Sequence, residues 1–135
     1  MLRSVQDAPG SEARGEVTLY CLTRDIELAA ALDSRVSGAI TIFYNDSARL
    51  HQAIQLRAPE VVVIDAGAIR PELGDQGLAP EVAFVGQRAP QARLGVRPTP
   101  GAERLIAAEA GAGVTILPAP VPACVEAVAV MCGCG

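Results

Sequence analysis

Val61-Val-Val-Ile-Asp65 decides the fold. Four consecutive β-branched apolar residues leave no face for solvent, so the strand they form is covered on both sides, as the central strands of parallel sheets are. The run closes on Asp65, which sets a carboxylate at the strand end where the chain meets solvent. In open α/β sheets the crevice beyond the carboxyl ends of the strands is where binding and chemistry concentrate.

On the N-terminal side of this run, strand and helix signals alternate. Val17-Thr-Leu-Tyr-Cys-Leu22 is a short run of strand formers, and Thr23 follows as a cap for a helix starting at Arg24 or Asp25. Ile26, Ala29, Ala30 and Leu32 lie on neighbouring faces of that helix, and Gly38 stands where it should stop. Ala39-Ile-Thr-Ile-Phe-Tyr44 reads as a second strand. Asn45 or Asp46 caps a second helix with Leu50, Ala53, Ile54 and Arg57 in one stripe, ended by Pro59.

On the C-terminal side, Glu81-Val-Ala-Phe-Val85 is expected as the fourth strand and Val114-Thr-Ile-Leu117 as the fifth. Gly101 to Ala110 has helical composition, and a last helix starts at Pro122 with Val125, Val128, Ala129 and Cys132 on one face. Gly67, Pro71, Gly74 and Gly77 punctuate 66–80, so the helix after the third strand is expected to be short or absent. The Pro- and Gly-rich stretch from Gln87 to Pro100 reads as a long loop. The alternation predicts an α/β fold of flavodoxin-like type, a five-stranded parallel sheet with helices on both faces.

The chain of 135 residues suits one domain, with residues 1–16 expected as a disordered tail and 17–133 as the folded unit. Trp is absent and Phe and Tyr occur twice each, so the core is aliphatic. A net charge of −4 argues against a nucleic-acid surface, which needs clustered positive charge to displace counterions. All eleven basic residues are Arg, so any mechanism that needs a lysine ammonium is excluded. Nothing in the N-terminal stretch has the apolar core of a secretory signal, and no stretch is long and apolar enough to span a bilayer, so a cytoplasmic protein is expected. Cys21, Cys124, Cys132 and Cys134 form no disulfide framework, and Cys132-Gly-Cys134 lacks the second ligand pair a metal site needs.

The Val61–Asp65 motif, on the third strand of five, resembles the phosphoacceptor strand of response-regulator receiver domains, over nearly the whole of 17–133. The resemblance implies an acceptor Asp assisted by an acidic pair after the first strand that holds Mg²⁺, a Thr or Ser after the fourth and a Lys before a Pro after the fifth. Here the two positions after the first strand are Thr23 and Arg24, with Asp25 just beyond. The position after the expected fourth strand is Gly86, and Ala119 precedes Pro120 where the lysine would stand, a bond for which the family's cis form is also considered. A hydroxyl and a guanidinium cannot replace two carboxylates around Mg²⁺. The degenerate pocket is therefore Asp65, Arg24, Thr23, Asp25, Gly86 and Ala119, with Arg24 expected to pair with Asp65 in place of the metal, and with no cofactor.

This points to an atypical receiver that cannot be phosphorylated and acts by binding proteins, similar to the receiver-like domains that precede ParA-like ATPases in pilus-localisation proteins. The resemblance places the partner or homodimer surface on the fourth helix, fifth strand and last helix, presenting Arg104, Glu109, Ala123, Glu126 and Ala127. The alternative is nucleotide sensing, with Arg88, Arg93 and Arg97 of the 87–100 loop holding a cyclic dinucleotide at the strand-end crevice. Catalysis is not expected: Cys21 falls inside a strand and lies too close to Arg24 for a phosphate cradle. His51, between polar neighbours, reads as a solvated surface histidine.

Overall fold

Val61–Asp65 forms the middle of the sheet, and all five of its residues are buried. The computed structural model describes residues 17–111 and 113–133. The expected tail at 1–16, and Cys134 with it, lie outside the described residues. The elements are β1 (Thr18–Leu22), α1 (Ile26–Arg35), β2 (Ile40–Tyr44), α2 (Ser47–Leu56), β3 (Val61–Asp65), α3 (Leu78–Arg88), β4 (Arg93–Arg97), α4 (Glu103–Ala110), β5 (Thr115–Ile116) and α5 (Val121–Met131). Two 3₁₀ turns, Ala66–Ala68 and Pro71–Leu73, bridge β3 to α3. The sheet order is β2-β1-β3-β4-β5, with every pairing parallel. The order reverses between β1 and β3, so Thr23 and Asp65 flank the switch-point crevice.

Alternation along the strands sends side chains to two separate cores. On one face Leu19, Cys21, Val61 and Val63 pack with α1 through Leu28 and Leu32 and with α5 through Cys124, Val125 and Val128. On the other, Tyr20, Leu22, Val62, Ile64, Leu94 and Val96 pack with α2 through Leu50 and Ile54 and with α3 and α4 through Leu78, Val85 and Ile106. Asp65, Thr23 and Arg97 follow the first alternation and end on the α1/α5 side.

The flavodoxin-like class is observed, and several expectations within it are corrected. Glu81–Val85 is not the fourth strand but the middle of α3, which is a full helix of 11 residues and not shortened or absent. Its buried positions, Leu78, Glu81 and Val85, recur at helical spacing, and Pro80 sits in the first turn, where a missing N–H breaks no helical bond. The true β4 lies inside the stretch read as a loop: Arg93-Leu-Gly-Val-Arg97, whose terminal arginines disguise a buried centre. Asp25, not Thr23, caps α1, its Oδ1 accepting from the amides of Glu27 and Leu28 at 3.0 and 3.2 Å. Asp46 caps α2. Among the described residues there is no cis peptide, so Ala119–Pro120 is trans.

Gly95 at the centre of β4 lets α5 approach the sheet. A Cβ there would stand 3.0 Å from Met131 Sδ and 3.1 Å from Leu117 Cδ1. Gly95→Ala is expected to destabilise the fold by about 1–3 kcal/mol through overpacking, read as a lowered midpoint in urea denaturation. An unchanged midpoint would show that α5 does not depend on this contact.

Candidate functional site

The crevice at the ends of β1 and β3 is closed by a network of charges and hydroxyls. Thr23 Oγ1 donates to Asp65 Oδ2 at 2.8 Å and accepts from the Asp25 amide at 3.0 Å. Gly67 N–H donates to Asp65 Oδ1 at 3.3 Å. Arg97, at the end of β4 and in register with Asp65, points its guanidinium across the same carboxylate. Its Nη1 donates to Asp65 Oδ2 at 3.2 Å and to Asp25 Oδ2 at 3.0 Å, while Nε donates to the Ala119 carbonyl at 2.8 Å. One side chain thus ties together the loops after β1, β3 and β5.

Asp65 is only 6% exposed, and a buried carboxylate without a partner is costly enough to reshape a site. Arg97 supplies the positive charge. Burial works against its guanidinium, but the hydrogen bond to Asp25 and the charges of Asp65 and Asp25 outweigh that and raise its pKa above the ordinary value. The Arg97 hydrogen bond in turn holds the Asp25 carboxyl below the usual range, helped by the α1 amides.

Two expectations about this pocket are corrected. Arg24 does not pair with Asp65; it is exposed, and Arg97 takes the role. Arg24 follows Thr23, whose side chain already fills the space toward Asp65, whereas the β3–β4 register aims Arg97 at it. Gly86 lies on α3 and not at the strand ends, because the fourth strand is 93–97. Ala119 is at the site, through its carbonyl.

The donor set does not fit Mg²⁺. Both oxygens of Asp25 are committed, Asp65 Oδ2 accepts from both Thr23 and Arg97, and Thr23 stands where a further carboxylate would be needed. Among the described residues no group of three His, Cys, Asp or Glu side chains is placed to hold a metal ion.

This arrangement sits on a known scaffold. NtrX from Brucella abortus, solved in complex with ADP, superposes with a TM-score of 0.69 at 14% identity, over 87% of this chain and 27% of NtrX. The signal receiver domain of an HD domain-containing protein from Pseudomonas fluorescens matches with a TM-score of 0.67 at 15% identity, over 86% of this chain and 90% of that one. The signal receiver domain of a putative Luxo repressor protein from Vibrio parahaemolyticus gives 0.62 at 14%, over 87% and 91%. The chain has the receiver fold. It spans about a quarter of the length of NtrX. No family model and no curated protein matches its sequence.

Other residues singled out from the sequence are scattered over this receiver fold. Arg88, Arg93 and Arg97 do not converge on a ligand: Arg88 lies over the Phe84 ring at 5.7 Å, Arg93 Nη1 donates to the Met131 carbonyl at 2.6 Å, and Arg97 is in the Asp65 network. Arg104 and Glu109 are exposed on α4 and Ala123 on α5. Glu126 instead pairs with Arg35 of α1, its Oε2 accepting from Nε at 2.9 Å, and Ala127 packs on the α1/α5 core, so neither belongs to the α4 side. Cys21 is fully buried, and burial pushes its thiol pKa up; Cys124 is raised to about 11 for the same reason. Neither has the thiolate character of a nucleophile. No helix among the described residues is long and apolar enough to cross a membrane.

His51 is also corrected. It is half-buried, stacked on Phe84 with ring centroids 3.9 Å apart, and its Nε2 lies 2.5 Å from Glu81 Oε2. Ser47 Oγ donates to the other oxygen, Glu81 Oε1, at 3.0 Å. The polar neighbours of His51 in sequence hid this, because its partner becomes visible only once 81–85 is recognised as helix.

Removing Arg97 strands Asp65. Arg97→Met is expected to cost about 3 kcal/mol near neutral pH, the usual size for breaking a buried ion pair from one side. Asp25 is depressed in the folded state, so its share is complete above the ordinary Asp value of about 3.9 and is lost as pH falls through the lower folded value. Urea denaturation from pH 7 down to pH 3 should therefore show the gap between wild type and variant shrinking only below about pH 4. A gap that is absent at pH 7, or independent of pH, would contradict the network.

Proposed function

We propose that this receiver fold works as a constitutive signalling or scaffolding module that binds other proteins without being phosphorylated. The observation that carries the reading is Arg97 Nη1 within 3.2 Å of both Asp65 and Asp25. An internal guanidinium supplies the positive charge that a metal ion would bring, and it leaves Asp65 Oδ2 flanked by two donors where an incoming phosphoryl group would have to attach. The absence of lysine from the chain supports the same reading. The acidic pair is likewise lost in the receiver-like domains that precede ParA-like ATPases, which this chain resembles, and a protein partner in the cytoplasm fits that reading.

Titration of the ¹⁵N-labelled chain with Mg²⁺ and beryllofluoride tests the locked state. The expected result is no saturable shift at Thr23, Asp65, Ala66 or Gly67. Saturable shifts centred on Asp65 would overturn it.

The partner face proposed is that of α4 and β5 with the start of α5. It carries Arg104, Glu109 and Ala123 and, between them, Leu105 with 71% of its surface exposed. Self-association through this face yields a homodimer. Light scattering should then give a dimer mass at high concentration and a monomer for Leu105→Glu. A monomeric wild type counts against self-association.

A further inference from the structure

We draw no further inference here: the strongest candidate, the cleft of about 340 Å³ that His51 and Glu81 line between α2, α3 and the turn at 74–76, carries none because both oxygens of Glu81 are already answered by Ser47 and His51 and nothing in the structure points to a ligand there.

Discussion

A carboxylate at the end of a central strand must be answered by positive charge or by donors, and here Arg97 answers Asp65 from the neighbouring strand. The rest of the crevice follows from that pairing. The same guanidinium reaches Asp25, which caps α1, and the carbonyl of Ala119, which leads into α5. The two helices on this face of the sheet are thereby held to the strand ends by one side chain. A metal ion would do this reversibly and in exchange with solvent; a guanidinium fixed to β4 does it whenever the chain is folded.

Much of the fold was legible because its signals are local. The unbroken apolar run at 61–64, the cap and stop residues around α2, and the proline that opens α5 each speak for themselves. The misreading at 81–85 has a physical cause. Val82, Phe84 and Val85 are strand formers by composition, and the buried Glu81, which belongs to the helical stripe, looks from sequence like a polar strand boundary. With α3 mistaken for β4, the real strand was left in a stretch whose Pro, Gly and Arg content reads as loop. One such shift moved the supposed hydroxyl position to Gly86 and concealed Arg97.

The site was legible in kind and not in detail. That Asp65 ends a buried central strand follows from residue types alone, and that a cation answers it follows from the cost of leaving it buried and bare. Which arginine does so depends on strand register, and register across a parallel pair separated by a helix is not written in either strand. Arg24 stood beside the expected end of β1; Arg97 is the arginine that the β3–β4 register brings to Asp65.

The clamp of Glu81 by Ser47 and His51 has a consequence for how the layers are assembled. Helices α2 and α3 contribute Leu50, Ile54, Leu78 and Val85 to one core, and His51 of α2 stacks on Phe84 of α3. A buried carboxylate with one oxygen on Ser47 and the other beside His51, one turn apart on α2, is satisfied at a single axial position. The polar contact thus adds a fixed axial reference to the apolar packing of α2 on α3. Buried carboxylates stand on both sides of the sheet, Asp65 at the strand ends beside α1 and Glu81 between α2 and α3, in a core without tryptophan.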